Sequence, residues 1–323
     1  PSALPDDVRL MLRQSLEAAM KVYLNFPDHK NVRQQVIFFF HRMIAVLQDG
    51  FVPFLPPILG PLIQDITADN AIETIQLINQ LLSKYKSKMG PIMPEITMPI
   101  FTKLSNAMPN VAPRTSGKIP PTDEQQSRES LQRGFVLFLQ NIVLNNLESL
   151  LFHPSMAPHF MDILNATLQA AVDVPNPSTG KSVFAIMSLL LKAWVPEQQG
   201  QGKDPNSKNC NGIDRQDQLA LLNFCLTQAL PISLQSIVFV GYDKRDCAGT
   251  FAFLKEVAMF YKNLTQRCSQ EFINSLRNCC YSSIPNCPQH LVESLMSETM
   301  NGDIKKIRQC ILELVKAAQS QKV

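Results

Sequence analysis

The residues most able to do chemistry in this 323-residue chain are five histidines and eight cysteines, and their spacing assembles neither a catalytic set nor a metal cage. His29, His41, His153, His159 and His290 fall in no ligand or triad pattern. Cys279-Cys280 with Cys287 and His290 offers thiolates and an imidazole for a tetrahedral zinc. Adjacent cysteines on a helix point in different directions, however, and the set lacks a CxxC pair, so the thiols read as core material. His41, behind Phe38-Phe39-Phe40, reads as a satisfied interior or interfacial histidine rather than a base. No glycine-rich phosphate cradle occurs, and no cofactor is expected. The remaining chemistry is cationic: Lys84, Lys86 and Lys88 alternate with other residues, and Lys305, Lys306 and Arg308 form a second cluster. Either could meet phosphates, or simply be a solvated helix end.

The elements that would position these residues are helical. Val32, Val36, Phe39, Phe40, Met43 and Leu47 recur at three- and four-residue steps. The pattern returns in Phe135, Phe138, Leu139 and Ile142, in Phe251, Leu254, Ala258 and Tyr261, and in Ile304, Ile307, Ile311 and Leu314. Ser236 to Val240 is β-prone but too brief to outweigh its helical surroundings. Turn residues such as Gly50, Ala68-Asp69-Asn70, Gly90-Pro91, Pro154 and Asn301-Gly302-Asp303 separate the stripes at about one helix length. Paired, such helices give a unit of about 40 to 47 residues, the HEAT/armadillo period. An all-α HEAT-repeat solenoid of antiparallel helix pairs is therefore expected, with helices kinked or starting late near Pro53, Pro56, Pro57 and Pro61 and again near Pro91, Pro94 and Pro99. Its divisions would be helix pairs over 1–195 with a mobile loop at 109–122, a flexible loop at 196–213, and further repeats over 214–323.

Apolar residues form 45% of the chain and charged residues 18%, enough for an extensive core and too little charge for a disordered polymer. A net charge of +3 excludes a globally basic nucleic-acid binder but not a local basic face. No apolar run approaching the ~18–20 residues of a bilayer span is apparent, so no membrane insertion is expected. The cysteines, all beyond residue 209, follow helical stripes and point to a reducing compartment.

Several segments in order resemble the exportin-T family of the importin-β superfamily. They are Phe51-Val52-Pro53-Phe54-Leu55-Pro56 leading into Leu62–Asp65, then Ile75–Asn79 with Pro91–Pro99, then Arg133-Gly134-Phe135-Val136-Leu137-Phe138-Leu139-Gln140. Gln169–Pro177 follows, then Lys181, Phe184, Ile186, Ser188, Leu190 and Trp194 in the family's spacing. The resemblance is good over residues 1 to 195 and rests mainly on helical pattern beyond. It implies a non-enzymatic nuclear export receptor for transfer RNA, of which this would be the carboxy-terminal arch. Ran in its GTP state, bound mainly elsewhere, and nuclear pore proteins would be partners of a monomer shuttling between nucleus and cytoplasm. Basic side chains would then meet the RNA backbone: Lys84, Lys86, Lys88, Arg128, Arg133 and Lys181, with Arg114 and Lys118 in the 109–122 loop. Another importin-β-type receptor with a protein cargo, or a HEAT scaffold, would present similar helices.

Overall fold

The computed structural model describes residues 5–26, 29–112, 120–174, 176–197, 213–240, 247–284 and 287–320. Among them every regular element is helical, as the three- and four-residue periodicity predicts. The chain divides into two compact units, Pro1–Ala112 with Thr122–His159, and Pro113–Pro121 with Phe160–Val323.

The first unit holds α1 (Asp6–Asn25), α2 (Lys30–Leu47), α3 (Leu55–Gln64), α4 (Ala71–Tyr85), α5 (Met93–Ala107) and α6 (Asp123–Leu144). Helix α2 packs on α1 and α4, α4 packs on α6, and α3 packs on α5, so alternate helices form two layers. Apolar stripes set this arrangement: Val36, Phe40, Met43 and Leu47 of α2 and Ile75, Ile78 and Leu82 of α4 are buried. Phe39, on the edge of the expected stripe, is only half-buried.

A residue of positive φ follows each of α2, α4 and α6. After α2, Gln48 takes a positive φ of 47° and starts a 3-10 segment, Gln48–Phe54. After α4, Lys86 takes φ 48° and starts Lys86–Met89. After α6, Asn146 takes φ 57°, just before Glu148–Phe152. One interval separates Gln48 from Lys86, Pro53 from Pro91, Pro56 from Pro94 and Pro61 from Pro99. The prolines thus mark an internal repeat: Pro53 lies in a 3-10 segment and Pro91 in the turn before α5, Pro56, Pro57 and Pro94 lie in first helical turns where a missing N–H costs least, and Pro61 and Pro99 stand inside α3 and α5. Adjacent repeats lock through Tyr85, whose hydroxyl donates to Gln48 O at 2.9 Å while its ring stacks on Phe51 at 6.3 Å.

The second unit holds α7 (Phe160–Asp173), α8 (Pro177–Trp194), α9 (Arg215–Phe224), α10 (Leu230–Val240), α11 (Cys247–Ser283), α12 (Gln289–Asn301) and α13 (Ile304–Ser320). A π turn, Cys225–Ala229, carries α9 into α10, so the β-prone run at 236–240 is helical. Helix α11 is kinked at Cys268 (φ −154°, ψ 54°) and packs along α8. Phe184 lies between Phe253 and Phe260, at 6.0 and 5.7 Å. Trp194 anchors this core against Phe160 at 5.5 Å. Beside the kink, the buried Arg267 donates through Nε to Leu191 O and Val195 O and through Nη1 to Asn263 O.

Two stretches, Lys30–Gln64 and Arg215–Ile237, do reach membrane-spanning length and apolarity, contrary to the expectation from the sequence. The first is interrupted by the turn at Gln48 and carries Arg33, His41, Arg42 and Asp49. Val36, Ile37, Phe40, Met43, Ile44 and Leu47 of α2 are buried, and the apolar residues of α3 pack against α5, whereas Phe38 and Val46 are exposed.

Candidate nucleic-acid interface

The outward face of the α2/α4/α6 layer is polar, and side-chain hydrogen bonds cross it from helix to helix. Gln34 Nε2 donates to Glu73 Oε1 at 2.5 Å, and His41 Nδ1 meets Gln80 Oε1; partners in both pairs are 39 residues apart. Asn141 Nδ2 donates to Asn79 Oδ1 at 3.0 Å, and Ser83 Oγ donates to Asn141 Oδ1 at 3.2 Å. Helical spacing explains the ladder: Glu73, Gln76, Gln80, Ser83 and Lys84 share one stripe of α4, while Gln34, Phe38, His41 and Arg42 share one of α2. His41 is thus the hydrogen-bonded interfacial histidine expected from its place behind the phenylalanines.

The predicted cations fall into different situations. Lys84 ends α4 on the ladder stripe, and Lys86 occupies the strained turn that follows; both are exposed and, among the described residues, carry no ion pair. Lys88 is also exposed, but its Nζ lies 2.6 Å from Asp49 Oδ1, so part of its charge is already answered. Arg128 and Arg133, on α6, are half-buried. Arg128 Nη1 donates to Val111 O at 2.7 Å and Gln125 Nε2 to Ala112 O, which ties the end of the preceding segment to the start of α6. That start is fixed by a capping box in which Thr122 and Gln125 exchange hydrogen bonds. Arg133 Nε donates to Glu129 O at 3.3 Å, one turn back. Lys181, exposed in the first turns of α8, belongs to the second unit. Arg114 and Lys118 lie outside the described residues, as do 198–212 of the expected 196–213 loop.

Two residues of this face were missed by the search for cations. Phe38 is 51% exposed, and Arg42 lies over its ring at 4.5 Å. The signal was present: Phe38 falls off the stripe on which Phe40 is buried. The second basic cluster is occupied differently. Lys306 Nζ lies 3.8 Å from Glu298, and Arg308 stacks over Phe251 at 5.2 Å, as befits a solvated helix start.

Burial, not activation, governs the titratable side chains that are shifted. Desolvation pushes the Cys268 and Cys280 thiols up to about 12 and also raises Cys225. Tyr85 is likewise raised to about 12, by burial and then by Asp49. Thiols held in the neutral form are poor nucleophiles and poor metal ligands. Cys279, Cys287 and His290 form no metal-holding group among the described residues. The chemistry this face can perform is recognition: ammonium groups for phosphates, amides and an aromatic ring for flatter polar groups.

A family model described as Exportin-T matches residues 2–319. Exportin-T of Oryza sativa is 24% identical over 314 residues, covering 97% of this chain and 30% of that protein. Exportin-T of Aspergillus terreus is also 24% identical, over 96% of this chain and 29% of the relative. Exportin-T of Mus musculus is 31% identical over 176 residues, 53% of this chain and 17% of the mouse protein. The chain therefore spans about a third or less of the length of the relatives it matches.

Proposed function

The chain belongs to the exportin-T family, and from that premise we propose that it forms the carboxy-terminal part of a nuclear export receptor, holding transfer RNA by its phosphate backbone in a complex that assembles with GTP-loaded Ran. It works by recognition, without a reaction. Cargo loads in the nucleus and is released in the cytoplasm, and the principal Ran and nuclear-pore contacts are made by the rest of the receptor.

The observation that supports this reading is the exposed pair Lys84 and Lys86, free of ion pairs among the described residues, at the end of the hydrogen-bonded helix layer. Rigid elements present these charges, and a folded RNA offers phosphates at fixed spacing, so shape rather than base sequence decides the fit. Lys88 joins them at the cost of its bond to Asp49. Arg128 and Arg133, half-buried on α6, support the layer through hydrogen bonds to the backbone of Val111 and Glu129 and are proposed to border the phosphate path. Lys181, exposed on α8 of the second unit, is proposed as a phosphate contact in its own right.

A gel-shift titration of a transfer-RNA transcript against the receptor carrying this chain, with and without Ran loaded with a non-hydrolysable GTP analogue, tests the proposal. Capture should tighten with the loaded Ran and weaken steeply with salt. Binding of a protein cargo that resists salt, with no capture of RNA, would transfer the chain to the protein-cargo reading.

A further inference from the structure

A cleft of about 390 Å³ opens on the α2/α4 face, lined by Gln34, Gln35, Phe38, His41, Glu73 and Gln76. Its volume lies at the small end of ligand sites, about 300–1,000 Å³. One wall is the exposed ring of Phe38, held by the Arg42 guanidinium at 4.5 Å. The other wall is a carboxylate among amides. Glu73 Oε1 accepts from Gln34 Nε2, and Gln35 and Gln76 spend no side-chain hydrogen bond on any described residue.

This lining suits a base rather than a phosphate. Glu73 repels an anion, whereas a carboxylate accepts well from an exocyclic amine and neighbouring amides pair with the edge of a ring. The apolar face of Phe38 supplies the stacking that every base can use, strengthened by the flanking guanidinium. Glu73, Gln76 and Gln80 continue on α4 to Lys84, so a strand whose phosphates lie against Lys84 and Lys86 runs past this cleft on the same face.

Resting on the transfer-RNA reading above, we propose that the Phe38–Glu73 cleft takes one unstacked nucleobase of the bound RNA. Phe38 stacks on the base, and Glu73 with the glutamine amides selects one bearing an exocyclic amine, cytosine, adenine or guanine, over uracil, which has none. The backbone contacts would then be joined by a single base contact, fixing register along the RNA.

The test titrates a transfer-RNA transcript against the receptor carrying this chain, with GTP-loaded Ran, as wild type, Phe38→Ala and Phe38→Trp, each over a series of salt concentrations, with thermal melts to verify folding. Phe38→Ala should weaken binding by about 5- to 150-fold at every salt concentration while leaving the slope of log affinity against log salt unchanged, because no phosphate contact is lost. Phe38→Trp should restore it. In wild type, single-stranded cytidine or adenosine oligonucleotides should bind more tightly than uridine oligonucleotides of equal length, and Glu73→Ala should erase that preference. Equal RNA affinity in wild type and Phe38→Ala overturns the base site alone and leaves the ring to a protein partner. RNA binding absent from the wild-type receptor overturns the transfer-RNA reading as well.

Discussion

Replacing Lys84 and Lys86 together by glutamine removes two charges that, among the described residues, have no counter-ion, so the whole loss falls on the phosphate contacts. Each phosphate neutralised contributes about 0.7–0.9 to the slope of log affinity against log salt. The double variant should therefore have a slope shallower by about 1.4–1.8. Between 50 and 200 mM salt the wild type should lose about 7- to 12-fold more affinity than the variant. Lys88→Gln should change the slope less, since its ammonium already lies 2.6 Å from Asp49. Stability should move by at most about 1 kcal/mol in either case, because these side chains are exposed and only Lys84 interacts with a helix end. Fluorescence anisotropy of a labelled transfer-RNA transcript, bound by the receptor at four or five salt concentrations, gives the slopes directly. Superimposable wild-type and double-variant lines would remove these lysines from the interface.

Close packing supplies further expectations. Gly180→Ala would place a Cβ 2.7, 3.1 and 3.2 Å from three ring carbons of Phe253 and should lower stability by about 1–3 kcal/mol in denaturant melts. Gly134→Ala meets chiefly one methyl of Ile75, at 2.8 Å, and should cost less because that side chain can shift. Arg267→Lys should destabilise nearly as much as Arg267→Met, on the order of 2 kcal/mol by calorimetry, since an ammonium does not reproduce the planar fork that reaches Leu191 O, Val195 O and Asn263 O. Burial raises the Tyr85 phenol from its ordinary value near 10 to about 12, so its contribution is whole below pH 10 and is lost as pH rises towards 12. Tyr85→Phe should flatten that part of the stability–pH curve and remove the hydrogen bond to Gln48 O.

Much of the fold was legible because helical stripes report burial locally. Val36, Phe40, Met43 and Leu47 are inside, and the same reasoning overrode the β-prone run at 236–240, which is helical. The two proline clusters read as helix punctuation, but their matched interval of 38 residues (Gln48 to Lys86) was not read from them and is shorter than the expected unit of about 40 to 47 residues. The site was less so. A lysine's charge is visible in a sequence, but its occupation is not: Lys88 meets Asp49, and Arg128 meets the backbone of Val111, an acceptor without any residue-type signature. The His41–Gln80 and Gln34–Glu73 pairs depend on the register between α2 and α4, which no single stripe encodes. Phe38 was hidden for a related reason. Three successive phenylalanines read as core until the stripe on which Phe40 sits turns Phe38 outward.

The proposed placement of RNA on the α2/α4 face is open to direct measurement by photocrosslinking a 4-thiouridine-substituted transfer-RNA transcript to the receptor in the presence of GTP-loaded Ran, followed by mass spectrometry of the adducts. Crosslinked peptides should include those spanning 30–47 and 71–89, and should disappear in 0.5 M salt. Adducts confined to other parts of the receptor, with none in these two peptides, would contradict the placement of RNA on this helix layer.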